Sequence, residues 1–253
     1  MKDKILVAIP MYNCERQIPR VIAQFNEEIS EFITEILIID NGSKDASLDA
    51  AKSNLPSRIN TRATLIQNCE NYSLGGTHKV AFNYAIKNAF DYCVILHGDD
   101  QGSIHDLLPH LRSGEHRDYD SFLGARFHKD SKLIGYFWFR TFGNLVVNLL
   151  CSITTGRWIE DMGSGLNVFS TKYLANKFYL YFPNDLTYNI YLLLYAIYSK
   201  SKFKFFPLIW REDDQVSNAR MFKQCFQILG LLVQYIFNAK SIFATDDNEY
   251  SVI

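Results

Sequence analysis

The sequence predicts an α/β fold, a mostly parallel central sheet with helices on both faces. Three observations point to it. Short apolar runs alternate with helical patterns as far as residue 97. The runs are apolar along their length, as buried strands are. Each of the three best defined runs ends in a polar cluster, and in such sheets ligands bind beyond the carboxyl ends of the strands.

Residues 4–9, KILVAI, read as the first buried strand. CERQIPRVIAQFNEEI reads as a helix with Ile18, Val21, Ile22, Phe25 and Ile29 on one face. EILIID (35–40) is a second strand, and NGSKDASLDAAKS turns into a helix. ATLIQN (63–68) is a third strand, THKVAFNYAIKNA a helix, and YCVILH (92–97) a fourth strand. The second half is less regular. SFLGARF, GLNVFS and KFKFFPLIW read as strands, DLTYNIYLLLYAIYSK as a helix, and the remainder as mostly helical. The strand ends carry PMYN, DNGS and HGDDQ, so these polar groups are expected on one rim.

The 253 residues suffice for one large domain, and 48% hydrophobic content allows a sizeable core. A formal net charge of −1 gives no global argument for nucleic acid. Five scattered cysteines without a CxxC pair fit a reducing, cytosolic compartment and speak against structural zinc. The apolar part of MKDKILVAIP is too short for a signal peptide. No apolar segment is expected to reach the ~20 residues of a spanning helix. Two uncharged segments come close, between Arg140 and Arg157 and between Lys223 and Lys240.

HGDDQ crowds carboxylates at a strand end, where they repel unless something positive lies between them. One reading is a loop whose Asp and Ser cap a helix beginning near Ile104. The other is a divalent metal held by Asp99 and Gln101 and completed by phosphate oxygens, the arrangement Mg²⁺ and Mn²⁺ prefer. For Asp40 in DNGSKD, turn chemistry and contact with a base or ribose both remain open. SLGGTHK puts two glycines before a helix, where a phosphate could lie on backbone amides or the glycines could simply free the loop.

Taken in order, IPMYNCERQIP, IIDNGSKD, SLGGTHK, VILHGDDQ, GARF, EDMGSGLNVFS and WREDDQVSN resemble family-2 inverting glycosyltransferases of the GT-A fold. Within these the set looks closest to the polyprenyl-phosphate sugar transferases. The resemblance covers residues 4 to about 220. It implies a GT-A domain over residues 1–217 and a C-terminal amphipathic helix and tail over 218–253. It places Pro10, Tyr12, Asn13 and Asp40 at the nucleoside, and Asp99 and Gln101 at Mg²⁺ or Mn²⁺. His97 stands where the family's first metal-motif Asp usually stands, and Cys14 where many members have Glu. Arg126 and Arg140 fall where the lipid-phosphate branch grips the acceptor phosphate. Asp161 falls beside the acceptor pocket, as a base or as a partner for a cation. Arg211, Ser217 and Arg220 lie in the segment that folds over the nucleotide diphosphate.

The function so implied is metal-dependent transfer of a sugar from a UDP- or GDP-type donor to a polyprenyl phosphate. The alternatives are transfer to a saccharide hydroxyl in surface polysaccharide assembly and an inactive nucleotide-sugar-binding module. Phe142, Leu145, Val146, Leu149, Leu150 and Ile153 share one helical face. A second stripe runs from Phe222 through Cys225, Phe226, Leu229, Leu232, Val233, Ile236 and Phe237. Core packing and an interfacial helix both fit these stripes. A 16-residue segment spans ~24 Å, less than a ~30 Å hydrocarbon layer, so contact with the cytoplasmic face of a membrane is expected to be peripheral.

Overall fold

The computed structural model describes residues 2–55, 61–214 and 221–243. The first half contains β1 (Ile5–Met11), α1 (Ile18–Ala23), α2 (Glu27–Ser30), β2 (Glu35–Asp40), α3 (Ser47–Ser53), β3 (Arg62–Gln67), α4 (Ser73–Lys87) and β4 (Tyr92–Leu96). Next come α5 (Leu108–Ser113), β5 (Ser121–Ala125), β6 (Lys132–Ile134), α6 (Trp138–Thr155), β7 (Leu166–Ser170) and α7 (Thr171–Leu174). The chain continues through α8 (Tyr188–Tyr198), β8 (Phe203–Pro207), β9 (Ile209–Arg211) and α9 (Met221–Phe243).

Seven strands form one sheet in the order β3-β2-β1-β4-β7-β5-β8, and β6 and β9 pair separately. Strands β1 to β4 are mutually parallel, while β7 runs antiparallel to both neighbours. The expected mostly parallel α/β sheet is therefore present. Because β7 is reversed, its amino end lies beside the carboxyl end of β4, with Leu96 opposite Leu166. That pairing brings the EDMGSG loop to the rim that carries PMYN, DNGS and HGDDQ.

Two hydrophobic layers cover the sheet. One holds the α1 face read from sequence, with Ile18, Val21, Ile22, Phe25 and Ile29 all buried. The other is built on α4, α8 and α9 and includes Phe82, Tyr179, Tyr188, Leu231 and Leu232. Helix α9 thus adds Leu231 and Leu232 to the layer built on α4 and α8.

Three local expectations differ from the structure, and one short strand was not expected. The helix expected over residues 14–29 is two pieces: Asn26 turns extended and its side-chain oxygen caps α2 by accepting from the amide of Ile29. The run KFKFFPLIW is two strands in two sheets, β8 and β9, broken at Leu208. Its Pro207 lacks the N–H a ladder would use. β6, three residues in a polar stretch, carries too little pattern to be read. Finally, α9 exceeds the expected length: Gln224–Phe243 is long and apolar enough to cross a membrane by length and composition. Non-helical angles at Asn238 break it near its end.

The stacked pair Phe122–Phe206, with ring centroids 4.7 Å apart, fastens β5 to β8. Phe122 is almost fully buried. Replacing Phe122 with Ala is expected to cost about 3–5 kcal/mol of folding stability, read as a lower urea midpoint. An unchanged midpoint would show that the stack is not part of the cooperative core.

Candidate active site

The rim opens into a cleft of about 730 Å³. Pro10, Tyr12 and Asn13 from the end of β1 line it, as do His97, Asp99 and Gln101 from the end of β4. Arg126 follows β5, Ser164 and Gly165 precede β7, and Trp210 comes from β9. Inward residues of α6 (Phe139, Arg140, Asn144, Val147, Asn148) and α9 (Gln224, Cys225, Ile228) complete the wall.

The end of the cleft at β1 is held by side-chain to backbone bonds between loops. Asn13, in left-handed backbone, accepts from the amide of Lys44 at 2.8 Å, and its own amide donates to Ser43 Oγ at 3.1 Å. The amide of Cys14 donates to Ser47 Oγ at 2.7 Å. Burial pushes the Cys14 thiol up to about 12, so it stays protonated. Asp40 does not line the cleft. It is wholly buried, accepting from the amide of Ser43 at 3.2 Å and from Gln67 Nε2 at 2.8 Å. Its neighbour Asn41 lines the wall and ties the end of β2 to the loop between β3 and α4. Asn41 donates to Asn71 Oδ1 and the Ser73 carbonyl, and accepts from Asn68 Nδ2 and the Tyr72 amide.

In HGDDQ the two adjacent aspartates part company. Asp100, at φ +59°, turns onto α1 and accepts from Arg20 Nε at 2.6 Å and Gln24 Nε2 at 3.2 Å. Arg20 also pairs with Asp214. Asp99 faces the cleft, and its Oδ1 accepts from the amide of Gln101 at 3.1 Å. Of the capping reading only the Ser part is seen: Ser103 Oγ accepts from the amide of His105 at the start of a short helical turn. Among the described residues no three His, Cys, Asp or Glu side chains are grouped to hold a metal by themselves. One carboxylate and one carboxamide at the mouth of a roomy cleft do suit Mg²⁺ or Mn²⁺, which bind few protein oxygens and take the rest from phosphate and water.

The glycines of SLGGTHK have a different role from a phosphate cradle. α4 begins at Ser73, so both glycines lie in its first turn. The Gly75 amide donates to the Asn184 carbonyl at 2.7 Å, and an added Cβ would meet Pro183 and Tyr188 at 2.7 Å. They are small so that α4 can press against the segment leading into α8.

At the opposite end lies a buried ion pair. Arg126 Nη2 donates to Asp161 Oδ1 at 2.7 Å, and its Nε and backbone amide both donate to Asp161 Oδ2 at 2.8 Å. Nη2 also reaches the Gly163 carbonyl, and the guanidinium lies over the rings of Phe127 and Trp210. Burial opposes the Arg126 charge, yet Asp161 outweighs it and raises the pKa. Asp161 does not line the cleft; both its oxygens serve Arg126 and the Gly163 amide. Arg140 likewise carries a carboxylate, pairing with Glu212 and lying over Tyr136. Arg211 is exposed and outside the cleft lining, though its amide donates to the Gln101 carbonyl at 2.9 Å. Ser217 and Arg220 lie outside the described residues.

Sequence reasoning passed over Asn41, Tyr136, Asp185 and Trp210, which line the cleft. Asn41, Asp185 and Trp210 sit inside quoted stretches and carried a signal of position alone. Tyr136 reaches the site by tertiary packing.

Asp161→Ala leaves Arg126 buried without its counter-charge, an expected loss of about 3–5 kcal/mol in chemical denaturation. Adding Arg126→Met should recover part of that loss. A single variant as stable as wild type would show that solvent reaches and screens Arg126.

Glucosyl-3-phosphoglycerate synthase from Mycobacterium tuberculosis in complex with UDP superposes with a TM-score of 0.63 at 14% identity, covering 92% of this chain and 80% of that one. Its complex with Mn²⁺ and UDP-glucose gives 0.61 at 15% identity, over 97% and 81%. TarS residues 1–349 of S. aureus give 0.56 at 15%, over 93% and 66%. At such identities the likeness is one of fold, and the fold is GT-A. The uncharacterized protein MJ1222 of Methanocaldococcus jannaschii is 23% identical over 169 residues, which are 67% of this chain and 65% of that protein. The glycosyl transferase family 2 profile matches residues 6–178, most of the chain, and the protein with this rim of strand-end polar groups belongs to that family.

Proposed function

We propose that this glycosyltransferase moves a sugar from a nucleotide sugar to a polyprenyl phosphate at a membrane surface on the cytoplasmic side. The observation that carries the acceptor is the outward face of two neighbouring helices. Helices α6 and α9 pack on each other, and their inner residues line the cleft. Their outer residues are large, apolar and exposed: Phe142 is 61% exposed, Ile153 71%, Phe226 73% and Phe237 83%. Trp138 and Trp158, also exposed, lie near either end of α6. Neither helix contains an acidic residue, whereas Arg140, Lys223 and Lys240 are basic. An apolar face with aromatic ends and no negative charge suits an anionic bilayer. A lipid acceptor held there would enter the cleft between the same two helices.

The donor reading draws on the solved relatives, described with Mn²⁺, UDP and UDP-glucose. In it the nucleoside lies against Pro10, Tyr12, Asn13 and Asn41, with the diphosphate at Asp99 and Gln101. Asp99 and Gln101 would hold Mg²⁺ or Mn²⁺ there, which would supply positive charge to the leaving diphosphate. Arg126, kept in place by Asp161, puts a fixed positive charge beside the reacting centre. The acceptor oxygen attacks the anomeric carbon opposite the departing diphosphate oxygen. A phosphate acceptor is already anionic and needs no strong base, in keeping with an Asp161 occupied by Arg126.

One observation favours a second reading. Arg126 and Arg140 both have carboxylate partners, and Asn144, Asn148 and Asn189 line that end of the cleft. Carboxamides suit the hydroxyls of a saccharide acceptor.

Purified protein with Mn²⁺ and a panel of UDP- and GDP-sugars should glycosylate a polyprenyl phosphate in preference to free saccharides. Transfer to free saccharides alone would overturn the lipid-phosphate reading. Asp99→Asn should lower turnover at least a hundredfold while leaving the melting temperature near wild type. Activity that survives in a chelator would remove the metal. The protein should sediment with anionic vesicles, less so at high salt. Phe142→Glu with Phe226→Glu should abolish sedimentation with nucleotide binding unchanged; retained sedimentation would place membrane contact elsewhere.

A further inference from the structure

Arg126 and Arg140, the two arginines that line the cleft, have unlike counter-ions. Tyr136 joins them: Arg126 Nη1 donates to its hydroxyl at 3.5 Å, and the Arg140 guanidinium stands over its ring, 5.2 Å from the centre. All three residues line the cleft. Asp161, the partner of Arg126, has a side chain only 1% exposed, stands outside that lining and engages both Nε and Nη2. Glu212, the partner of Arg140, lines the cleft with its side chain 15% exposed. Among the described residues it meets Arg140 at Nη1 alone, and Nε and Nη2 of Arg140 make no hydrogen bond.

The backbone holds Glu212 in this place. The residue directly follows β9, and its amide donates to the Ile134 carbonyl at 2.9 Å. Its carbonyl lies so close to Gly135 that a Cβ there would collide with it, and Gly135 takes the left-handed backbone, φ +72°, that glycine allows. The β6–β9 pair thus fixes the carboxylate from one side while α6 brings Arg140 to it from the other. A counter-ion whose sole task was to orient an arginine would be served by burial and two-point contact, as Asp161 is. Glu212 has neither.

We propose that Glu212 is a specificity-determining residue of the acceptor site, an exchangeable counter-ion that the acceptor's phosphate must displace from Arg140. The inference rests on the phosphate-acceptor reading and deepens it. A phosphate monoester carries about two negative charges at neutral pH and three acceptor oxygens, and it can take both arms of a guanidinium fork. It therefore gains more at Arg140 than the single contact it replaces. An anion with one charge and one contact gains nothing by the exchange, so the carboxylate discriminates against weaker anions by repulsion and prior occupancy.

The test is calorimetry with a short-chain isoprenyl monophosphate on the full chain. Glu212→Gln should tighten binding about tenfold, and the acceptor KM should fall by a similar factor. Arg140→Gln should lose most of the affinity, and adding Glu212→Gln to it should recover roughly twofold at most, since the site of competition is gone. Weaker binding in Glu212→Gln would make Glu212 a partner that orients Arg140, and unchanged binding would make it a bystander. An equal gain with and without Arg140 would make it a source of long-range repulsion. Each of these three results overturns the inference. Should Glu212→Gln fail to fold, Glu212→Asp, whose carboxylate falls one methylene short of Arg140, should shift affinity in the same direction. If neither wild type nor a folded variant binds the isoprenyl phosphate at all, the acceptor reading itself fails and the inference falls with it, a result told apart from the other three by the absence of any binding.

Discussion

The antiparallel pairing of β7 with β4 is the constraint on which the site depends. Parallel strands alone deliver three polar loops to one rim, since their carboxyl ends coincide. The DMGSG segment reaches that rim because β7 runs the other way and begins where β4 stops, and Arg126 reaches it because β5, antiparallel to β7, points the same way as β4. The bond from the His97 amide to the Gly165 carbonyl continues this ladder one step past the strands. It sets the spacing between the strand-end carboxylate and the buried ion pair, and hence the length of the cleft between them. Arg126 is then fixed from behind by Asp161, a residue removed from the cleft itself.

Charge in the site is arranged by pairing. Asp100 is drawn off by Arg20, Asp161 by Arg126 and Glu212 by Arg140. The crowding in HGDDQ is thereby resolved in part by a protein cation. Turning Asp100 onto α1 requires the left-handed backbone that Asp tolerates better than most residues. A buried pair contributes little net stability because desolvation offsets attraction, but it fixes geometry at the cost of being sensitive to loss of either member.

The sequence showed much of the framework and less of the wall. Buried strands were legible because continuous apolar runs ending in polar clusters are strong local signals, and the α1 stripe was recovered residue by residue. The break at Asn26 was missed because a short polar residue caps a helix only once tertiary packing decides where the helix starts. Asp99, Gln101, Pro10, Tyr12 and Asn13 were legible as strand-end residues and do line the cleft. Asp40 is a strand-end residue of the same kind, yet its side chain points inward to Gln67 and Ser43. Which way a terminal residue points depends on register with its neighbour, and a single strand does not encode that. Tyr136 was hidden for another reason: it lies in the short link between β6 and α6, which has no periodicity to read. Trp210 sits in the quoted WREDDQVSN, but its three-residue strand gives no sign of which way the ring turns.

The outward faces of α6 and α9 have a consequence for how the protein behaves in a test tube. Colloidal repulsion between copies scales with net charge, and here that charge is −1 over 253 residues. Against so weak a repulsion, two adjacent helices of bare phenylalanine, leucine and isoleucine dominate the forces between molecules. Self-association at working concentrations will therefore be governed by these faces and relieved by surfactant.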